Sequence, residues 1–193
     1  MLLVIAGSNL SACAGEPTDQ LRATTDKILG LLRDPACNTD SRKSERRHVI
    51  RKELDQRIDW DTVARSSLGR HWAKLKAAQQ AEFVAVFSLF LVETALDKFE
   101  TNDVRRIQID YVGEKTLEGY ASVKVRLTTK DDVAHPVEYR MQKSGNEWRS
   151  YDVLIEGVSM VKNYRDQFDE ILGKSSYETL LADLRAKTPQ SSL

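Results

Sequence analysis

The sequence is poor in the residue patterns from which reactive sites are usually built. Its 193 residues include two cysteines and three histidines, with no C-x-x-C pair, no H-x-x-x-H motif and no Cys/His spacing that suits zinc. His48, His71 and His135 are scattered, and none belongs to a recognisable His–carboxylate pair. The glycines form neither G-x-G-x-x-G nor G-x-x-x-x-G-K-[ST], and G-x-S-x-G is missing. These absences predict no metal site, no cofactor and no catalytic residues.

Charge and hydrophobicity argue against two further classes of protein. Lys plus Arg and Asp plus Glu are equal at 29 each, so the chain lacks the basic excess typical of nucleic-acid-binding proteins. No run reaches the roughly 18 apolar residues of a membrane-spanning helix. The most apolar stretch, residues 81–96, contains Glu82 and Glu93 and is predicted to be a buried helix. A hydrophobic fraction of 41% over this length indicates one globular domain.

The first 16 residues differ in composition from the rest of the chain. A short apolar start leads to small residues, and the chain becomes polar from Glu16. The A-C-A triplet at 12–14 fits a signal-peptidase site, and residues 10–13 also fit a bacterial lipobox in which Cys13 would be lipidated. Both interpretations predict export from the cytoplasm. Whether Cys13 is cleaved off, tethers the protein to a membrane, or pairs with Cys37 stays open, as does a plain leader without either role.

The N-terminal half of the chain is predicted to be helical. A helix opens at Pro17, a second follows a loop at 34–41, a short third over 59–69 has Asp59 as its N-cap, and a long fourth spans 78–99. The outer face of the second helix is basic, which predicts a solvated surface or, alternatively, a contact for anionic head groups or an acidic partner. The residues of this basic face are Arg42, Lys43, Arg46, Arg47, Arg51 and Lys52.

From residue 104 onward apolar residues recur at every second position, as in half-buried strands. Short connections between four such segments predict an antiparallel meander with one apolar and one solvated face. After Glu156-Gly157 the chain returns to helix, and a capping box at 175–178 opens the last helix. The predicted class is α+β, a curved four-stranded antiparallel sheet with helices on its apolar face and at one end. The alternating apolar residues are Ile107, Ile109, Tyr111, Ala121, Val123, Val125, Leu127, Val137, Tyr139, Met141, Tyr151, Val153 and Ile155.

Two segments carry longer motifs. Residues 58–87 contain D-W-x-x-x-A-x-x-x-L-G-x-x-W, and residues 146–172 contain Y-D-V-x-I-E-G-V-S followed by N-Y-R-x-Q-F. In this order the two motifs resemble the MlaC-type family of periplasmic phospholipid-binding shuttles, also called toluene-tolerance or ABC-transporter auxiliary proteins. His71 departs from the family pattern, which more often has Tyr there, and residues 76–78 replace a Thr-Pro-type helix start. The resemblance covers about residues 17–187.

The resemblance implies an NTF2-like fold in which the sheet and helices enclose a deep apolar pocket. It also implies that the protein binds the acyl chains of a diacyl phospholipid and carries the lipid across the periplasm of a Gram-negative bacterium, thereby maintaining outer-membrane lipid asymmetry. The implied partners are an outer-membrane lipoprotein–porin complex and an inner-membrane ABC transporter with MCE domains. The chain is expected to be a monomeric, non-enzymatic carrier, with a leader over 1–16, one lipid-binding domain over 17–187 and a flexible tail over 188–193.

The predicted pocket combines the apolar strand residues with apolar residues of the long helix. Phospholipid is the expected ligand of this pocket, and residues of the two family motifs are expected at its wall or mouth. The predicted lining residues are Phe83, Phe87, Leu91, Tyr111, Val123, Val125, Leu127, Val137, Tyr139, Tyr151, Val153 and Ile155, and the motif residues are Leu68, Trp72, Val158, Met160 and Tyr164.

Two alternatives stay open from the sequence. An enzyme of the ketosteroid-isomerase type on the same fold would need a carboxylate or a pair of tyrosines aimed into the pocket. The strand pattern places Asp110 and Asp152 on the outward side, which argues against this alternative. A non-transporting envelope adaptor lipoprotein would have a filled core and a lipidated Cys13.

Overall fold

A computed structural model describes residues 15–37, 40–101 and 104–188 of the chain. The predictions for Cys13 and for the tail beyond 188 lie outside the described residues. Within them the chain forms six α-helices joined by short loops and 3₁₀ turns. The helices are Glu16–Arg33 (α1), Asp40–Arg57 (α2), Trp60–Leu68 (α3), Ala77–Thr101 (α4), Met160–Lys174 (α5) and Tyr177–Lys187 (α6), and the 3₁₀ turns are Pro35–Cys37, Gly69–Lys74 and Val104–Arg106.

The strands form one antiparallel sheet in which neighbours in sequence are neighbours in space. This meander and the α+β class confirm the predicted fold. The described residues contain a fifth strand that the prediction of four omits, because its two residues are too few to show a periodic pattern. The strands are Gln108–Leu117 (β1), Tyr120–Thr128 (β2), Ala134–Ser144 (β3), Glu147–Ile155 (β4) and Val158–Ser159 (β5).

Polar caps and one glycine set the ends of the helices. The Thr62 amide donates to the Asp59 carboxylate at 2.9 Å, which confirms Asp59 as the N-cap of α3. Gly69 ends α3 with a φ of +52°, a conformation that glycine adopts without strain. The predicted capping box at 175–178 is wrong by one residue, because the N-cap of α6 is Ser176 and not Ser175. Glu178 is then only two residues after the N-cap, whereas a capping box needs the glutamate three residues after it.

Removal of the α3 cap is expected to lower stability by a moderate amount. Asp59 accepts hydrogen bonds from both the amide and the hydroxyl of Thr62, so we expect Asp59→Ala to lower the free energy of unfolding by about 1–2 kcal/mol. Asp59→Asn is the matched control, because asparagine caps helices about as well as aspartate. Urea denaturation measures both variants, and equal losses in the two would contradict capping as the cause.

Bulges in two strands change which side chains share a face. In β1, Val112 is the extra residue between two paired positions. In β4, Arg140 pairs with Asp152 but Met141 pairs with Ser150, so Tyr151 is inserted. An inserted residue reverses the alternation of side chains beyond it. The prediction that the side chain of Tyr151 lies on the same face as those of Val153 and Ile155 is therefore wrong.

The Tyr151 ring confirms this reversal. It lies 6.1 Å from the ring of Tyr120, centroid to centroid. Tyr120 pairs with Gln142, and Gln142 follows Met141, whose side chain is fully buried in the apolar cluster of the sheet. Neighbours along a strand point to opposite faces, so Tyr120 and Tyr151 lie on the outer face.

Helix α1 is attached across the apolar face of the sheet. The Thr18 amide at its start donates to Glu114 Oε2 of β1 at 2.9 Å. At its end, Arg33 Nη2 donates to the Ile107 carbonyl at 2.6 Å. Between these contacts Leu21 is buried in the apolar cluster of the sheet. The helix is therefore held at both ends and in the middle.

The predicted basic face of α2 is only partly exposed. Arg46 and Arg47 are buried, which corrects the prediction that all six cations form one outer surface. Arg47 forms ion pairs with Glu93 and, at 2.7 Å, with Asp97 of α4. The apolar spacing of α2 does not reveal this, because the acidic partners lie in another helix. Among the described helices we find no candidate for a membrane-spanning segment.

Candidate functional site

One face of the sheet is apolar along all four long strands. Tyr111 stands opposite Val125, Val125 opposite Val137, and Val137 opposite Ile155. Opposing residues of antiparallel strands point to the same side, so these positions share one surface, the inner face. Its apolar members are Ile109, Tyr111, Ala121, Val123, Val125, Leu127, Val137, Tyr139, Met141, Trp148, Val153 and Ile155.

The inner face is unevenly covered. Val123 and Met141 are fully buried beside Leu21 of α1. Ile155, at the end of β4, is 44% exposed. Accessible apolar surface therefore remains on the inner face and extends to the end of β4. The members that pack against the buried cluster but keep part of their surface accessible are Ile109, Tyr111, Leu127, Tyr139 and Val153.

Tyr139 shows how deep this accessible surface reaches. It lies on β3, opposite Val123 of β2 and Val153 of β4. Burial, with a smaller contribution from the nearby Tyr111, raises the pKa of Tyr139 to about 12. Its side chain nevertheless keeps part of its surface accessible. Tyr139 therefore lies at a largely covered position of the inner face that still borders accessible surface.

The neighbouring Tyr111 connects this interior position with the surface. Burial raises the pKa of its hydroxyl, which has no hydrogen-bond partner among the described residues. The Thr25 hydroxyl lies beside it but donates to the Leu21 carbonyl at 2.9 Å. The exposed guanidinium of Arg22 stacks on the Tyr111 ring, 4.1 Å from its centroid. Arg22, Tyr111 and Tyr139 thus form a polar series from the surface into an apolar site.

A second apolar cluster lies between the helices and is closely packed. The rings of Phe83 and Phe87 on α4 are 5.3 Å apart, and Phe87 lies 5.2 Å from Phe168 and 5.1 Å from Tyr164 on α5. Phe83 is 0% and Phe87 1% exposed. These aromatic side chains fill the space between the helices with one another, as in a protein core.

The predicted pocket residues therefore separate into two groups and three outliers. Among the outliers, Tyr151 lies on the outer face, Val158 is 59% exposed in β5 and Met160 is half-buried at the start of α5. The inner face holds Tyr111, Val123, Val125, Leu127, Val137, Tyr139, Val153 and Ile155. The helical cluster holds Leu68, Trp72, Phe83, Phe87, Leu91 and Tyr164.

The predicted pocket omits residues that the structure places on the inner face. Ile109 and Met141 belong to it, and the alternating pattern of their strands already signals this. Leu21 of α1 packs against the same face. No periodic signal identifies Leu21, because helical spacing does not show which sheet residue a helix meets.

The titratable groups near the sheet form structural contacts. Asp110 stands opposite Arg126 on the outer face, away from the apolar site, and Asp152 accepts hydrogen bonds from Ser159 Oγ at 2.7 Å and from the Val161 amide at 3.1 Å. Glu114 is on the inner side, but its carboxylate is engaged by the start of α1. These contacts argue against carboxylate-dependent chemistry at the inner face. Of the two requirements of the ketosteroid-isomerase alternative, the described residues of the inner face offer only the pair of tyrosines, Tyr111 and Tyr139.

Two histidines do form carboxylate pairs, contrary to the sequence prediction. His71 Nε2 lies 2.8 Å from Asp169 Oδ1, and His135 Nδ1 lies 2.7 Å from Glu156 Oε1. Both partners are distant in sequence, so no local spacing reveals them. Both carboxylates are exposed, at 42% and 61%, which is typical of surface ion pairs. The described part of the chain contains no group of three or more His, Cys, Asp or Glu suited to a metal ion.

Comparison with known proteins places most of the chain in one family. The family model described as "MlaC protein" matches residues 22–186. The toluene tolerance protein ttg2D of Pseudomonas putida is 23% identical over 177 residues, which are 91% of this chain and 81% of that protein. The intermembrane phospholipid transport system binding protein MlaC of Haemophilus influenzae is 22% identical over 173 residues, 88% of this chain and 81% of that protein.

A solved structure shares the fold. The phospholipid-binding protein from Ralstonia solanacearum, determined in complex with a phospholipid, superimposes with a TM-score of 0.78 at 19% identity. The match covers 92% of this chain and 99% of that chain. Together with the family match, this similarity confirms both the resemblance and the fold class. The matched family and proteins point to binding and transport, which agrees with the prediction of a non-enzymatic protein.

Proposed function

Because the chain belongs to the MlaC family, we propose that it binds a diacyl phospholipid with the acyl chains against the inner face of the sheet. The observation that carries this proposal is the accessible apolar surface around Tyr139 and Val153, on a face that helix α1 covers only in part. Acyl chains match such a surface because they need area that excludes water and no charged partner. The Haemophilus relative is named for phospholipid transport, and the Ralstonia protein was determined with a phospholipid bound. Both therefore support a phospholipid as the ligand.

The energetics of acyl chains explain why a carrier is useful. Exposure of a methylene group to water costs about 0.8 kcal/mol. Two chains of some fifteen methylenes would therefore cost on the order of 20–25 kcal/mol, so transfer without a carrier is very slow. The inner face offsets part of this cost by apolar contact. Its open end at Ile155, which is 44% exposed, offers a route by which the lipid enters and leaves.

The proposed setting of this activity is the periplasm of a Gram-negative bacterium. The protein would carry lipid between an outer-membrane lipoprotein–porin complex and an inner-membrane ABC transporter with MCE domains, acting as a monomer. The name of the Haemophilus relative, an intermembrane transport system binding protein, supports such a role. Tethering through Cys13 would restrict diffusion but not lipid binding.

Native mass spectrometry tests the proposal directly. The full chain is expressed in a Gram-negative host and purified without detergent, and its native mass is compared with its denatured mass. We expect a stoichiometric adduct that organic extraction identifies as diacyl phospholipid. A native mass equal to that of the polypeptide, together with no lipid uptake from phospholipid vesicles, would rule out the carrier function and favour the adaptor alternative.

A further inference from the structure

The Tyr139 hydroxyl is a polar group on the apolar inner face of the sheet. It lies on β3, the middle strand of the five, and its neighbours on the inner face are Val123, Val137, Met141 and Val153. All four neighbours are apolar, and none offers the hydroxyl an acceptor. The structure shows no hydrogen bond from it to any residue within 15–37, 40–101 and 104–188, and part of the side chain remains accessible.

The Tyr139 hydroxyl borders the accessible part of the inner face and can take an acceptor that the described residues of the protein do not supply. Burial of an unpaired hydroxyl in apolar surroundings is unfavourable. Buried tyrosines therefore usually find a partner for the O–H group. Because Tyr139 stays protonated at neutral pH, it offers a neutral donor. A ligand that places an oxygen opposite this donor gains a hydrogen bond in a low-dielectric site.

We propose that the Tyr139 hydroxyl donates a hydrogen bond to an ester carbonyl of the bound lipid, so that the site prefers ester-linked over ether-linked phospholipids. This inference rests on the proposed function and names the linkage that the site recognises. An ester carbonyl is neutral and stands between the acyl chains and the head group, which suits a neutral donor on an apolar wall. An ether-linked lipid of equal length lacks the carbonyl oxygen and leaves the hydroxyl unpaired.

A lipid phosphate is the less suitable acceptor at this depth. None of the described inner-face neighbours of Tyr139 is a cation, and a phosphate buried without one loses its hydration uncompensated. The exposed guanidinium of Arg22, stacked on the Tyr111 ring, lies on the surface side of the tyrosine pair. The charged head group can remain there, in contact with water, while the glycerol esters reach inward.

A competition experiment tests the linkage preference. The full chain is stripped of lipid and incubated with equal amounts of diacyl phosphatidylethanolamine and its dialkyl ether analogue, matched in chain length. The protein is recovered, and its lipids are quantified by mass spectrometry. We expect the wild-type protein to retain the diacyl form roughly fivefold to tenfold over the ether form, since one net hydrogen bond is worth about that ratio.

Two variants show whether Tyr139 is the source of this preference. Tyr139→Phe keeps the ring and removes the hydroxyl, so the diacyl form loses its hydrogen bond and we expect the ratio of diacyl to ether lipid to fall to near one. Tyr151→Phe removes a hydroxyl from the outer face of the same sheet and should keep the wild-type ratio. A wild-type ratio near one on a lipid-loaded protein, or an unchanged preference in Tyr139→Phe, would overturn the inference alone. Failure of the wild-type protein to retain either lipid would overturn the proposed function as well.

Discussion

Val153→Trp is expected to lose most of its bound phospholipid, at least tenfold relative to the wild-type protein when both are purified in parallel. Val153 lies on the inner face opposite Tyr139 and keeps part of its surface accessible. A tryptophan there extends into the space that acyl chains would occupy. Each methylene displaced from apolar contact costs about 0.8 kcal/mol. Exclusion of about four methylenes would therefore weaken binding by about 3 kcal/mol, which raises the dissociation constant more than a hundredfold.

Tyr151→Trp is the matched control for this prediction. It introduces the same side chain on the same strand, two residues away, but on the outer face beside Tyr120. We expect it to retain the wild-type lipid load, as measured by extraction and phosphate assay. Thermal unfolding of both variants shows whether they are folded. Equal lipid loads in folded Val153→Trp and wild-type protein would place the acyl chains elsewhere.

Glu93→Ala is expected to destabilise the fold by about 3–5 kcal/mol, because it removes one partner of a buried ion pair. Glu93 of α4 is 3% exposed and contacts Arg47 of α2, which is also 3% exposed. The alanine removes a buried partner of the arginine charge, whereas Asp97, which also pairs with Arg47, is half-exposed and compensates that charge less well. Urea denaturation measures the change. Glu170→Ala, which breaks an exposed pair with Lys174 on α5, is expected to change little.

A double replacement distinguishes the effect of the two charges from the effect of side-chain packing between α2 and α4. In Arg47→Met combined with Glu93→Leu, both charges are replaced by apolar side chains of similar length. Such replacements of buried pairs are often neutral or stabilising, so we expect the double variant to recover most of the stability that Glu93→Ala loses. A double variant less stable than Glu93→Ala would show that α2 and α4 depend on the pair for more than charge compensation.

The order of helices and strands was predictable because it depends on local repeats. The predicted helix over 78–99 corresponds to Ala77–Thr101. The period of two predicted from residue 104 corresponds to the long strands from Gln108 onward, whereas Val104–Arg106 form a 3₁₀ turn. Asp59 and Gly69 mark helix ends through their own side-chain and backbone chemistry. The family motifs were also readable in the chain, and the comparisons confirm the family they indicate.

The candidate site was predictable only in part. Alternation places most of the inner face, but it extends the pattern through Tyr151, where the bulge reverses it. A bulge depends on pairing with β3, and the sequence of β4 alone carries no period that announces it. Hydrophobic spacing also groups Phe83 and Phe87 with the sheet residues, whereas they pack among helices. Apolar character does not specify which apolar surface a residue meets.

The sequence by itself determined the elements, their order, the family and the lack of a recognisable catalytic motif. Tertiary structure decided which residues of those elements share a surface and which charges are buried. Arg47 illustrates the reason, because its partner Glu93 is 46 residues away, and neither residue has a local pattern that sets it apart from a solvated charge. Periodicity reports the repeat of the backbone within one element, whereas a cleft or a buried ion pair exists only where elements meet.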